Sequence, residues 1–316
     1  MVLFRRKPLL LHYYVTTACQ LRCSFCNIPE GSAQTANINE VFYNLKTARR
    51  LGARFVDFTG GEPLLFGPLP EALRYANKLG FVTSVTTNGL LLEKRAPELA
   101  GLISLPRLSL DGSEAVHDHI RGKASYQAVL AGLAACRRYR IPADIIFTLS
   151  AENRNDITHV YEVARAHGAI LILDPAFSYF SNPDHRELDV LIREWASRPF
   201  VYVNRAFLRL RNRGGNSIRE PVCKAVRAAI VIHPNNELLL PCFHHATTRL
   251  SLANGLESVW NSAERKGALL QEGRIPACAA CTINCYMDPS FCYSMDAYFG
   301  LSLYSKIRYA FDKWIR

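Results

Sequence analysis

Short apolar runs recur along this chain about every 25–35 residues, and that rhythm restricts its fold more than any other feature. Six strand-like runs occupy residues 9–15, 54–59, 81–87, 106–110, 141–149 and 169–173. Between them, residues 39–51, 69–79, 91–102, 125–139 and 156–167 place apolar side chains at spacings of three and four, the period of a helix packed on one face. Such alternation predicts an α/β fold with a parallel sheet. Each run stops at a polar or glycine-containing segment. In order these are a cysteine-rich loop, Gly60-Gly61-Glu62-Pro63, Asn88-Gly89, Asp111-Gly112, Ser150 with Glu152 and Asn153, and Asp174-Pro175. Parallel α/β proteins build their sites at these strand ends. Asp174 is the candidate catalytic residue if its register faces that mouth; otherwise it caps the turn at Pro175.

The rhythm breaks after Pro199. Residues 205–219 are strongly basic and end in Gly214-Gly215-Asn216, which reads as a linker or turn, so a domain boundary is placed near residue 205. Beyond it, a hairpin pattern over 228–232 and 237–240 lies between Cys223 and Cys242, and a helix is expected over 257–271. The 316 residues suffice for one large domain and a smaller one. With 49% hydrophobic and 21% charged residues, the chain is neither collagenous nor largely disordered. No apolar stretch approaches the roughly 20 residues that cross a bilayer, and no secretory signal pattern is visible. A cytoplasmic location is therefore expected, where thiols stay reduced and clustered cysteines indicate metal binding or catalysis before disulfides.

There are 10 cysteines. Cys19, Cys23 and Cys26 form CxxxCxxC directly after the first strand. Soft thiolates select iron–sulfur clusters or zinc. Three ligands on one tight loop leave one iron of a cubane open, whereas structural zinc wants a fourth ligand; His12 is close in sequence but projects from a strand. Cys136 lies mid-helix and reads as a small buried hydrophobe. His244 and His245 follow Cys242 directly and are expected at the surface, the alternative being a hydrogen-bonding role beside the cysteine ligands.

CxxxCxxC with Phe25 before its last cysteine, then GGEP and TTNG at successive strand ends, then SLDG followed by His117, Asp118, Arg121 and Gly122, resemble the radical S-adenosylmethionine (SAM) superfamily. The resemblance covers roughly residues 9–200. It implies a partial (β/α)6 barrel, with a [4Fe–4S] cluster on Cys19, Cys23 and Cys26 and SAM chelating the fourth iron. It also implies cleavage of SAM to a 5′-deoxyadenosyl radical that takes hydrogen from a substrate. By resemblance, Gly60, Gly61 and Glu62 receive the SAM amino group, and Thr87 and Asn88 line its side. Ser109 and Asp111 contact the ribose, Thr148 and Ser150 hold ribose or carboxylate, and Arg121 neutralises the carboxylate. For these last five the competing reading is a solvated loop or helix cap. The second half resembles a twitch domain, the shortened SPASM extension, which holds one auxiliary [4Fe–4S] cluster. Its ligands would be Cys223, Cys242, Cys278 and Cys281, with Cys285 as the alternative; a structural zinc ribbon on the same four is the competing reading. The expected layout is a core barrel over 1–204, a twitch-like domain over 205–292 and an amphipathic helix over 293–316.

The implied activity is hydrogen abstraction from a peptide or specialised metabolite, with flavodoxin or ferredoxin as electron donor. An alternative within the class is a lipid or isoprenoid at a membrane surface. An alternative of another class is a non-catalytic iron–sulfur or zinc scaffold or redox sensor. The formal charge of +11 falls to about +8 once two clusters and their thiolates are counted. The remaining basic residues concentrate in 205–219 and at the termini. Tyr298, Leu301, Tyr304, Ile307, Phe311 and Trp314 recur near helical spacing with Lys306, Arg308, Lys313 and Arg316 interleaved. That pattern predicts either a closing helix packed on the barrel or a peripheral contact with an anionic membrane or peptide through residues 295–316. Phe4, Arg5 and Arg6 add to the membrane version. No nucleic-acid module appears, so nucleic acid is not an expected partner.

Overall fold

A computed structural model describes residues 7–177 and 185–315; the N-terminal Phe4, Arg5 and Arg6 and the terminal Arg316 lie outside them. The strands are β1 (Leu10–Thr16), β2 (Phe55–Gly60), β3 (Val82–Thr87), β4 (Leu105–Ser109), β5 (Asp144–Leu149), β6 (Leu171–Pro175), β7 (Val201–Tyr202), β8 (Ala229–His233), β9 (Glu237–Leu240) and β10 (Thr248–Ser251). The helices are α1 (Ile38–Leu51), α2 (Leu69–Lys78), α3 (Leu92–Leu99), α4 (Glu114–Arg121), α5 (Ser125–Arg138), α6 (Ile157–Ala166), α7 (His185–Trp195), α8 (Arg205–Asn212), α9 (Ala225–Ala228), α10 (Leu256–Trp260), α11 (Ala263–Leu270), α12 (Asn284–Ser290) and α13 (Ala297–Trp314).

The strands form one sheet in the order β10-β9-β8-β1-β2-β3-β4-β5-β6-β7. β1 to β7 pair in parallel and in sequence, β8 joins β1 in parallel, and β8, β9 and β10 form an antiparallel meander. The six predicted strands and five predicted helices all form. The sheet continues past residue 205, because β8 pairs directly with β1.

Successive side chains of a strand point to opposite faces. Leu11, Tyr13 and Val15 of β1, Val56 and Phe58 of β2, Leu108 of β4, Ile145 and Phe147 of β5, and Leu171 and Leu173 of β6 join helix residues such as Leu45, Leu73 and Leu133 in the main core. The alternate positions carry His12, Asp57, Ser84, Arg107 and Asp174, an unusually polar set for a parallel sheet. Cys285 on α12 lies in the electrostatic reach of both Asp57 of β2 and Asp174 of β6. Those residues are four strands apart, so the sheet curls and the polar face lines a lumen. A second apolar cluster, with Tyr14, Val231, Phe207, Leu210, Tyr286, Met287 and Phe291, closes the lumen on the β8 side.

Two expectations need correction. The basic stretch read as a linker is largely helix α8: Asn204 caps it by accepting from Ala206 N, and Phe207, Leu208 and Leu210 are buried. The helix expected over 257–271 is two helices, because Ser262 caps α11 by accepting from Arg265 N and so starts a new one. Helix α13 packs on the barrel, one of the two alternatives expected for it, with Tyr298 buried, but most of its apolar face points outward. Ser302, Ser305 and Asp312 face the barrel, while Leu303, Ile307 and Trp314 are 45%, 61% and 62% exposed.

Candidate functional site

The three cysteines of the first loop follow β1, whose register slips between Tyr14 and Thr16 as the chain turns into the loop. The return of the loop is fastened to its start. Thr17 N donates to Gln34 O at 2.9 Å, Gln34 N donates to Thr17 Oγ1 at 2.9 Å, and Thr16 Oγ1 donates to Gln34 O at 2.8 Å. The Gly-Gly-Glu-Pro turn then zips onto the same loop: Gly61 N donates to Thr16 O at 2.9 Å and Glu62 N to Ala18 O at 2.8 Å. Only glycine allows this approach. A Cβ on Gly60 would lie 2.0 Å from Thr16 O, and one on Gly61 would lie 2.3 Å from Ala18 O.

Glu62 is fully buried. Its Oε1 accepts from Leu64 N at 2.9 Å and Thr87 Oγ1 at 2.8 Å, and its Oε2 accepts from Asn88 N at 2.8 Å. Burial pushes its pKa up, against the pull of those donors and of Arg121. The carboxylate braces the ends of β2 and β3 together, so an ammonium received by this turn falls to its backbone carbonyls. The brace also aims Asn88, whose Nδ2 lies 3.7 Å from Cys19 Sγ and 3.4 Å from Gln20 Oε1.

Asp111, expected to contact a ribose, has both oxygens occupied from within the protein. Its Oδ2 pairs with Arg121, and its Oδ1 accepts from Thr148 N at 2.7 Å. Asp111 therefore holds Arg121, whose guanidinium sits 5.2 Å over the Phe25 ring with Nη1 3.9 Å from Cys23 Sγ. Desolvation opposes the charge on Arg121, and Asp111, Cys23 and Cys26 sustain it. Burial raises the pKa of Cys19, Cys23 and Cys26, and Arg121 pulls all three the other way. Ser109 is buried at the end of β4. Ser150 N donates to Asn153 Oδ1 at 2.8 Å, and Asn153 Nδ2 donates to the carbonyls of Asp111 and Thr148. Asn153 thus ties the fourth and fifth strand ends, a role the sequence motifs did not single out. His117 is buried, and its Nδ1 accepts from Asp111 N at 2.9 Å. Burial and then Arg121 push its pKa down to about 3, so it stays neutral. Asp118 caps the next helix by accepting from Ala124 N and Tyr126 N.

Cys223, Cys242, Cys278 and Cys281 are buried and line one enclosed hollow with Pro241, His245, Ile283 and Met287. Burial is the main cause that pushes the Cys242 thiol up to about 12 and the Cys278 thiol up to about 11. A thiolate in this hollow therefore needs a cationic partner, which a cluster supplies. Among the described residues no three His, Cys, Asp or Glu side chains converge on a point for one metal ion; a cubane spreads its thiolates further apart than a single zinc does.

Gly214-Gly215-Asn216 is the clamp that closes this hollow. Asn216 Oδ1 accepts from Val222 N at 3.0 Å and Cys223 N at 3.1 Å, while its Nδ2 donates to Gly273 O at 2.9 Å and Cys278 O at 3.0 Å. Its own N–H donates to Cys281 O, and a Cβ on Gly215 would lie 2.4 Å from Ala280 O. Cys285 lies outside the hollow on the lumen side, with Sγ 3.9 Å from His244 Nε2. His244 is half-buried, contrary to the surface expectation, with its ring edge-on to Phe177, Phe243 and Tyr286. Asp174 does face the lumen. It accepts from Asn284 Nδ2, and burial pushes its pKa up to about 6. Cys136 is a buried core residue as expected.

The profile of the Radical SAM superfamily matches residues 13–164. Curated relatives include the AdoMet-dependent heme synthase of Methanosarcina barkeri, 29% identical over 180 residues, which are 54% of this chain and 51% of the relative. The probable GTP 3′,8-cyclase of Saccharolobus solfataricus is 28% identical over 209 residues, 60% of this chain and 67% of the relative. The chain thus spans about half the length of the first of these. Streptococcus suis SuiB bound to S-adenosylmethionine superposes with a TM-score of 0.67 at 17% identity, over 84% of this chain and 68% of SuiB. anSMEcpe with bound AdoMet superposes with a TM-score of 0.67 at 16% identity, over 96% and 93%. At such identities the likeness is one of fold. Residues 13–164, the region that matches the Radical SAM superfamily profile, contain the three-cysteine loop, its glycine partner turn and strands β2 to β5, and on that match the region is a radical SAM domain.

Proposed function

We propose that this chain is a radical SAM enzyme that acts on a peptide or specialised metabolite held in the barrel lumen. The observation that carries the proposal is the joining of the three-cysteine loop to the Gly60–Glu62 turn, with Arg121 set beside the thiols. Cys19, Cys23 and Cys26 would hold a [4Fe–4S] cluster, and Cys223, Cys242, Cys278 and Cys281 an auxiliary one. When bound and reduced by flavodoxin or ferredoxin, the first cluster supplies the electron that splits the C–S bond of SAM and releases a 5′-deoxyadenosyl radical.

The chain's own residues position and shield. The Gly60–Glu62 turn offers carbonyls to the SAM ammonium, and Asn88, placed by Glu62, closes one side. Arg121, held by Asp111 beside Cys23, would offset the thiolate charge and is the cation available to a SAM carboxylate. Ser109, Thr148 and Ser150 stand at the strand ends within the same mouth. Peptide and porphyrin-type substrates both have precedent among the similar proteins: SuiB is known bound to its precursor peptide SuiA, and a relative is a heme synthase.

Anaerobic reconstitution followed by iron counting and assay for 5′-deoxyadenosine tests the proposal. About eight irons per chain and product formation are expected. Absence of 5′-deoxyadenosine leaves the scaffold or redox-sensor reading standing.

A second reading concerns where the enzyme works. The outward apolar face of α13 adjoins a groove lined by Arg193, Arg205, Arg209 and Arg213. Apolar residues flanked by cations fit an anionic membrane surface, and a lipid or isoprenoid substrate would be met there. No helix among the described residues is long and apolar enough to cross a membrane.

A further inference from the structure

Arg107 lies at the centre of β4, on the face that alternates away from the main core and into the lumen. Its side chain is partly accessible, and among the described residues nothing accepts a hydrogen bond from its guanidinium or pairs with it. Burial works against its charge, and the field of Asp57, Tyr309, Asp144 and Asp174 more than restores it. Yet each of those carboxylates has a nearer partner. Asp57 Oδ2 is 3.4 Å from His12 Nδ1. Asp144 pairs with Lys313 Nζ at 2.5 Å and accepts from Ile170 N at 3.1 Å. Asp174 accepts from Asn284 Nδ2. The acids hold Arg107 charged without consuming its five N–H donors. Asp57, on the same face two strands away, is buried and, against that burial, held in its charged form chiefly by His12 and Arg107, with Ser84 beside it.

We propose that Arg107 is the docking point for a carboxylate of the substrate. The proposal rests on the function above, because it takes the lumen to be the substrate chamber. The planar fork of a guanidinium matches a carboxylate in a two-pronged contact. Arg107 is four residues before Asp111, so it stands about 13 Å along the strand from the mouth where the cysteine loop sits. A substrate held there by its carboxylate lies along the lumen with its other end toward the cluster.

The test uses the anaerobically reconstituted protein with SAM and reductant, and reads 5′-deoxyadenosine release on addition of a deproteinised extract of the source cells. One portion of extract is untreated, and another has its carboxylates capped by carbodiimide coupling to methylamine. The untreated extract should stimulate release, and capping should abolish the stimulation. For Arg107→Met the extract concentration giving half-maximal stimulation should rise about tenfold to hundredfold, the usual loss for a charged hydrogen bond. Arg107→Lys should recover part of that loss. Iron content and cluster absorbance equal to wild type show that the variants fold. The idea is overturned if capped extract stimulates equally, if Arg107→Met responds as wild type does, or if no extract stimulates wild type above its basal rate. Wild type that releases no 5′-deoxyadenosine at all refutes the enzyme reading itself, and the docking site with it.

Discussion

Replacing Gly61 by alanine tests the joint on which the site depends. Gly61 does not occupy the left-handed region, so the substitution carries no backbone penalty of its own, and its effect comes from contact. The new Cβ would sit 2.3 Å from Ala18 O and 2.7 Å from Thr17 O. All the close atoms are backbone, so no side chain can rotate away. Ordinary contact would require the loop to retreat by about 1 Å. That retreat stretches the bonds from Gly61 N to Thr16 O and from Glu62 N to Ala18 O, now 2.9 and 2.8 Å. Overpacking costs about 1–3 kcal/mol, and the two weakened hydrogen bonds fall within that range. Global stability should therefore drop by only a few degrees in Tm. The displaced residue, however, is next to Cys19, and a 1 Å misplacement at a reacting centre costs about a hundredfold in rate. Gly67→Ala is the matched control, because nothing lies within 4 Å of a Cβ there. The assay pairs thermal unfolding with iron content and 5′-deoxyadenosine release. Gly61→Ala should keep most of its stability and lose about two orders of magnitude in release, while Gly67→Ala matches wild type. If Gly61→Ala releases 5′-deoxyadenosine at the wild-type rate, the contact argument is wrong.

Other outcomes follow from the same geometry. Asn216→Ala removes four side-chain hydrogen bonds that hold the loops of Cys223 and Cys278; it should cost about 2–4 kcal/mol and lower iron from about eight to about four per chain, with the spectrum of the first cluster kept. Burial raises Asp174 from 3.8 to about 6, so ionising it is harder in the folded chain than in the unfolded one. Its contribution to stability is then fully present below about pH 4 and is lost as pH rises through about 6. Denaturant unfolding of wild type against Asp174→Asn should show a stability difference that changes across that window; a flat difference contradicts the burial of this carboxyl. Wild type should float with phosphatidylglycerol-containing vesicles and less with pure phosphatidylcholine, and Leu303→Ser/Ile307→Ser/Trp314→Ser should lose flotation. Equal behaviour of the triple variant removes the membrane reading.

What could be read from the sequence was whatever obeys a local period or a fixed spacing. The six strands and the helices between them announced themselves because each buries one face at its own period. The cysteine loop and the turn at Gly60 were visible because their residue types and their places at strand ends are both unusual. What was missed depends on partners distant in sequence. α8 looked like a linker because its arginines dominate the composition, yet Phe207 and Leu210 bury beneath them. Gly214-Gly215-Asn216 looked like a turn because its partners, Gly273 and Cys278, are about 60 residues away in the chain. The helical spacing in α13 was correct, but spacing cannot say which face meets the protein. Here Ser305 Oγ accepts from Arg205 N and Asp312 Oδ2 from Phe200 N, so the polar side is the anchored one.

Arg107 carries the same lesson into chemistry. A charged residue in the middle of a buried parallel strand was a signal in plain sight, as was Asp57 in the strand two places along the sheet. The alternation that marks the apolar face places these charges on the opposite one. In a curled parallel sheet that opposite face is the interior of the barrel, so charges there are exposed to whatever the barrel encloses. The residues most costly to bury thus mark the chamber more directly than the motifs at its rim, whose proposed partner is the cofactor and which say nothing of the substrate.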